Sequence, residues 1–152
     1  MESAYLRHIP QEDIYLFNTG NAKKAWLCFG CRYIPELKAH RFIVWAPNAQ
    51  RVSLVGSFNG WDRDAMPMEK IEGGVWVCFA EGIENGALYK YCVTGADGRQ
   101  ILKSDPFAAY SQTGSETASI VWNGGDFRWG DGEYMQRRAK RDFMTQPMSI
   151  YE

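Results

Sequence analysis

The sequence predicts an all-β fold, an antiparallel sandwich of about seven strands behind a short N-terminal helical extension. From Arg41 onward the apolar residues recur with a period of two rather than 3.6. Runs of that kind are separated by Gly-Gly, Asn-Gly and Asp-Gly turn signals, with little helix between them. Aromatic residues make up 14 % of the 152-residue chain and include six Trp, a density that thickens a β core or makes flat ligand-stacking surfaces.

Helical patterns come first. One covers Gln11–Phe17 and is stopped by Asn18-Thr19-Gly20. A second is expected after Asn21 as N-cap, with Ala22, Ala25, Trp26 and Phe29 on one face and Gly30 just past its end. Strands are then expected at Arg41–Trp45, ended by Ala46-Pro47-Asn48, and at Arg51–Val55. Met66–Lys70 reads as a short edge strand, and Gly73-Gly74 precedes Val75–Phe79. Leu88–Thr94 follows the turn Glu84-Asn85-Gly86, Gln100–Lys103 follows Ala96-Asp97-Gly98, and Ser119–Trp122 closes the set. Asp105-Pro106 interrupts the pattern. This spacing suits an immunoglobulin-like sandwich.

Val75–Phe79 is apolar on both faces, whereas a strand in a two-layer sandwich needs only one such face. Its outer side is expected to be covered, either by the N-terminal helices or by a body outside this chain. Beyond Asn123, Gly124-Gly125-Asp126 and Gly130-Asp131-Gly132 read as linker. The basic run Arg137–Arg141 sits in a stretch, 126–142, with five positive and four negative side chains, and reads as a solvated face. The expected organisation is residues 1–37 as helical extension, 38–123 as sandwich and 124–152 as linker.

Several function classes are disfavoured. A net charge of -1 gives no field for nucleic acid or an anionic membrane, and no apolar stretch is long enough to span a bilayer. The N-terminus lacks a basic region followed by an apolar run, so no signal peptide is expected. Cys28-Phe29-Gly30-Cys31 is a lone C-x-x-C without the second pair that a zinc site needs. Reduced thiols, a cytoplasmic location and no metal or cofactor are the expectation. Asp62, Asp64, Glu69 and Asp105 fall at turns or strand edges, where acidic side chains solvate or cap. No spacing pairs them for the acid–base work that sugar hydrolysis or transfer requires. His8 and His40 fall in expected termini or linkers, and no nucleophile triad, phosphate loop or dinucleotide fingerprint is present.

One ordered series of motifs is more informative. Trp45-Ala46-Pro47-Asn48-Ala49, followed by Val55-Gly56-Ser57-Phe58-Asn59-Gly60-Trp61-Asp62, resembles carbohydrate-binding module family 48, an α-glucan-binding sandwich. Tyr89-Lys90-Tyr91 and Asp105-Pro106-Phe107-Ala108 continue the resemblance. Ile14-Tyr15-Leu16-Phe17, Thr117-Ala118-Ser119 and the stretch Pro147-Met148-Ser149-Ile150-Tyr151-Glu152 look like this module and its flanks in 1,4-α-glucan (glycogen) branching enzymes. The resemblance covers nearly the whole chain. It implies a following (β/α)₈ barrel of glycoside hydrolase family 13, with Ser149–Glu152 leading into its first strand. The carboxylates that cut α-1,4-linked chains and rejoin them as α-1,6 branches would lie in that barrel. The chain itself then carries no catalytic residue and reads as part of a longer protein.

A glucose ring offers apolar C–H faces and a hydroxyl rim, so a flat aromatic covers the face while amide and ammonium groups bond the rim. Trp61 follows Asn59-Gly60 at a loop tip. Lys90 lies between Tyr89 and Tyr91, so it points outward when both Tyr point inward. By the resemblance, Trp61 is the stacking platform and Lys90 a hydroxyl donor, with Asn59 as a weaker candidate. The sequence departs from the glycan-binding pattern twice. No aromatic follows Asp97-Gly98, where those members carry a second Trp, and Ser119 stands near the position of their Asn. One aromatic stack adds about 0.5–1.5 kcal/mol beyond area burial, so weak α-glucan binding, roughly millimolar or weaker, is expected. The same module type occurs in glycogen-sensing regulatory subunits of the AMP-activated kinase β type, and in debranching or trehalose-releasing enzymes. The Ser-Ile-Tyr-Glu end and the N-terminal helical segment favour the branching enzymes over the kinase subunit.

Overall fold

The computed structural model describes residues 3–124, 128–145, 147 and 149–152, so Gly125, Asp126 and Met148 of the expected linker and flank lie outside the described residues. Strands β1 (Gly30–Ile34), β2 (Ala39–Trp45), β5 (Val75–Glu81) and β4 (Glu69–Ile71) form one sheet in the order β1-β2-β5-β4. Strands β3 (Arg51–Gly56), β6 (Leu88–Thr94), β9 (Ser119–Ile120) and β8 (Tyr110–Ser111) form the second, with β7 (Gln100–Lys103) also paired to β6. All these pairings are antiparallel. The helices are α1 (Ser3–Leu6), α2 (Gln11–Asn18) and α3 (Gly132–Ala139).

Strand alternation builds two apolar layers rather than one. Toward the second sheet, β2 and β5 send Phe42, Val44, Trp76 and Ala80 to meet Val52, Leu54, Tyr89, Tyr91 and Val121. Toward the other side they send Ile43, Val75 and Val77, which pack with Ile9, Ile14, Cys28 and Phe29. The two-faced apolar strand is thus covered by the N-terminal segment. Phe17 lies 4.4 Å from Phe29, and Phe29 stacks on Phe107 at 5.2 Å. Arg41 is buried on the same face of β2 and fastens the layer. Its Nη1 donates to the His8 carbonyl at 2.7 Å and its Nη2 to the Cys28 carbonyl at 3.0 Å.

The N-terminal segment differs from expectation beyond α2. Instead of a second helix from Asn21, only a single 3₁₀ turn forms, Ala25–Leu27, and Trp26 is exposed while Phe29 is fully buried. Lys24 sits in a non-helical conformation just before that turn, and the Arg32 guanidinium takes the Trp26 carbonyl. Gly30 opens a strand rather than ending a helix. At φ +85 it lies against the Phe107 backbone, where an added Cβ would meet the carbonyl oxygen at 2.6 Å, so only glycine fits. The strand β1 therefore occupies part of what was assigned to the helical extension, and runs from Gly30 opposite Ile43 to Ile34 opposite Ala39.

Strands β6 and β7 have the residues that the alternation predicts. The edge strand before β5 is shorter than expected because its first residues follow β3 instead. Leu54 N–H donates to the Met66 carbonyl and Met68 N–H to the Val52 carbonyl, both at 2.9 Å. The short strand β8 and helix α3 were not expected. Helix α3 carries Glu133 in its first turn and Arg137 and Arg138 in its last, the charge order a helix dipole favours, and the basic run is solvent-exposed as read.

Candidate functional site

The outer face of the second sheet gathers the sequence-predicted residues. Tyr89 and Tyr91 point inward and are fully buried, so Lys90 points out, opposite Val55 of β3. Its Nζ donates to Thr117 Oγ1 at 2.8 Å. The ammonium is thereby held over the sheet, with two further protons available to an incoming hydroxyl.

Trp61 is carried by the loop that follows β3. A 3₁₀ turn at Ser57–Asn59 leads into two consecutive left-handed residues, Gly60 (φ 61) and Trp61 (φ 63). Left-handed backbone is uncommon for a bulky side chain and costs roughly 1–2 kcal/mol. The loop holds it there. Trp61 N–H donates to the Gly56 carbonyl at 2.9 Å. The Asn59 side chain braces the same turn, its Oδ1 accepting from Gly56 N–H at 2.9 Å and its Nδ2 donating to the Leu54 carbonyl at 3.1 Å. Both amide atoms of Asn59 therefore serve the loop that carries Trp61. The loop then folds back across the sheet. Arg51 pairs with Asp64 at 2.7 Å, and Arg63 Nη1 reaches Gln100 Oε1 on β7 at 3.1 Å. Ser53, Val55 and Cys92 are buried beneath it although they lie on the outward face. Trp61 stays 37 % exposed.

The two departures from the glycan-binding pattern have structural counterparts. After Asp97-Gly98, β7 offers Gln100 and Leu102 outward, with no ring. Ser119 faces inward, fully buried, and its Oγ accepts from Asp105 N–H at 2.9 Å.

Asp105 is a correction. Expected as an exposed turn residue, it is only 5 % exposed, whereas Asp62, Asp64 and Glu69 are on the surface. Its Oδ2 accepts from Tyr89 OH at 2.7 Å and Tyr91 OH at 3.1 Å, and its Oδ1 from Phe107 N–H at 2.8 Å. Burial pushes its carboxyl above the usual range, against the pull of those hydrogen bonds, and burial likewise drives both Tyr hydroxyls far up. Every carboxylate oxygen is used within the fold, so the group is a structural anchor. His40 is also corrected, from a linker position to a buried one in β2. Its Nε2 lies 3.1 Å from Asn123 Oδ1, and burial lowers its pKa.

Cys28 lies fully buried, with its thiol pushed up to about 11 by desolvation. Among the described residues, no group of three or more His, Cys, Asp or Glu is placed to hold a metal, and no helix is long and apolar enough to cross a membrane.

A family model described as carbohydrate-binding module 48 (isoamylase N-terminal domain) matches residues 28–108. The 1,4-alpha-glucan branching enzyme 2 of Xanthomonas campestris is 40 % identical over 151 residues, covering 98 % of this chain and 21 % of that protein. The 1,4-alpha-glucan branching enzyme of Rubrobacter xylanophilus is 43 % identical over 143 residues, covering 92 % of this chain and 20 % of that protein. The chain thus spans about a fifth of the length of these relatives. A crystal structure of Klebsiella pneumoniae pullulanase complexed with maltotriose is similar at 27 % identity and a TM-score of 0.51, over 62 % of this chain and 9 % of that one. The two antiparallel sheets, the outward Lys90 beside the Trp61 loop, and a match over more than half of the residues agree: the chain belongs to carbohydrate-binding module family 48.

Proposed function

We propose that this chain is the N-terminal module of a 1,4-α-glucan branching enzyme, a cytoplasmic glycosyltransferase, in which it binds α-glucan weakly and positions a following catalytic barrel. The observation that supports this most is the reach of the identity. The family match ends at residue 108, whereas identity to a branching enzyme runs over 151 residues and takes in the N-terminal layer and α3. Trp61 supplies the stacking face, Lys90 with Thr117 bonds the hydroxyl rim, and Asn59 holds the loop that presents Trp61.

Binding is read by retardation of the chain in native gels containing glycogen, and by titration with maltoheptaose or β-cyclodextrin. Wild type is retarded. Trp61→Ala weakens binding roughly three- to tenfold, the worth of one aromatic stack. Lys90→Ala weakens it by a similar factor through loss of a charged donor. A folded Trp61→Ala protein that binds as tightly as wild type removes Trp61 as the platform. For the parent activity, the longer polypeptide is assayed for formation against hydrolysis of α-1,6 branches; hydrolysis would reassign it to a debranching enzyme.

A further inference from the structure

The face that carries Lys90 continues beyond it. On β6, Leu88 shares the outward side with Lys90. Leu88 lies opposite Ile120 of β9, and Ile120 lies opposite Tyr110 of β8. Paired residues in a ladder point the same way, so Leu88, Ile120 and Tyr110 form a row across the outer face. Trp122 follows Ile120 by two residues, and its ring centroid sits 5.6 Å from that of Tyr110, tilted by 53°. Tyr110 is 53 % exposed and Trp122 50 % exposed, although both rings adjoin a closed sandwich. Among the described residues neither the Tyr110 hydroxyl nor the Trp122 indole N–H has a hydrogen-bond partner. The pair therefore presents two half-exposed rings tilted against each other, each with a polar group at its rim. A pyranose ring asks for these features, a flat apolar face to stack on and donors at its edge.

We propose that Tyr110 and Trp122 form a second α-glucan subsite on this sheet, so that one chain of glucose units runs from Trp61 and Lys90 across β6 and β9 to the aromatic pair. The inference rests on the α-glucan reading above and supplies the second aromatic that is missing after Asp97-Gly98. Lys90 on β6 and Tyr110 on β8 stand two strand spacings apart across the sheet and two residues apart along it, roughly 12 Å in all. Maltose covers one subsite at a time, and maltoheptaose covers both. Two subsites on one rigid sheet make the second contact intramolecular, so a long chain gains where a short one does not.

The test is titration of the chain with maltose and with maltoheptaose, for wild type, Trp122→Ala, Tyr110→Ala and Trp61→Ala. Far-ultraviolet circular dichroism confirms that each variant is folded; the altered rings are exposed, so folding is retained. Trp122→Ala and Tyr110→Ala each weaken maltoheptaose binding roughly three- to tenfold. Either change also reduces the preference for maltoheptaose over maltose. Trp61→Ala binding lost while Trp122→Ala and Tyr110→Ala match wild type overturns the second subsite and leaves the primary one standing. The converse result supports the aromatic pair and removes Trp61. A wild-type chain that binds neither sugar overturns both readings.

Discussion

Asp105 shows how one side chain can set the interior of a sandwich. It accepts from two Tyr hydroxyls and one backbone N–H, so it joins β6 to the segment after β7 through hydrogen bonds. Asp105→Ala strands three buried donors at roughly 1 kcal/mol or more each, and the protein loses about 3–4 kcal/mol in urea denaturation. A loss below about 1 kcal/mol would mean that water replaces the carboxylate. The pH dependence has a definite sign. The folded-state pKa of Asp105 is raised from 3.8, so its contribution to stability is present below that value and is lost as pH rises through the higher folded one. His40 acts at the other end. Its folded-state pKa is lowered from 6.5, so the unfolded chain takes up protons first and stability falls as pH drops below 6.5 toward the folded value. His40→Gln, which keeps a donor for Asn123, flattens that slope when the unfolding free energy is followed from pH 7 to pH 5. An unchanged slope would place the titration elsewhere. Neither residue was legible in the sequence. An Asp before Pro and a His next to a strand are surface residues by composition, and only the pairing of distant segments shows what covers them.

At the scale of elements, the alternation in Leu88–Thr94 and Gln100–Lys103 fixed both the strand limits and the outward direction of Lys90, because period two is a local property. Strand β1 was hidden for a physical reason. Residues 22–29 carry apolar side chains at helical spacing, yet the buried Phe29 and the close approach of Gly30 to Phe107 are decided by contacts far along the chain. Strand β8 is two residues long, too short for any period to register, whereas β9, equally short, falls inside the expected run Ser119–Trp122. The doubly apolar strand β5 announced a third layer without saying what it was, and α2 with the 3₁₀ turn at Ala25–Leu27 turns out to supply it. That assignment predicts that the N-terminal layer is part of the cooperative fold. Ile14→Ala, at a buried position of α2, costs about 2–5 kcal/mol in guanidinium denaturation, the range for a truncated core side chain. A cost near zero would make the layer an ornament on a two-layer sandwich.

For the whole molecule, the N-terminal layer changes where a partner body can sit. Large apolar side chains stay exposed in several places, Trp26 and Leu27 in the N-terminal layer and Trp45 at the end of β2 among them, and under the proposed function the C-terminal segment is the part that meets the following barrel. Helix α3 has no buried residue, and its Tyr134 and Met135 are exposed beside a basic last turn. Ile150 and Tyr151 are exposed as well, Tyr151 at 99 %. Apolar side chains at successive points of one segment lose little by staying in water singly, but gain together when a second surface covers them. Under the proposed function that surface is the barrel, and trypsin reads the difference. In the 152-residue chain, cleavage after Arg137 or Arg138 is fast, because among the described residues the helix that carries them buries no side chain. In the longer polypeptide the same bonds are protected, and the sandwich and barrel stay joined through digestion. Equal cleavage rates in the two would show that α3 stays free of the barrel, and would move the docking surface to the glycan face itself, where Trp122 and a bound sugar would then compete for the same contact.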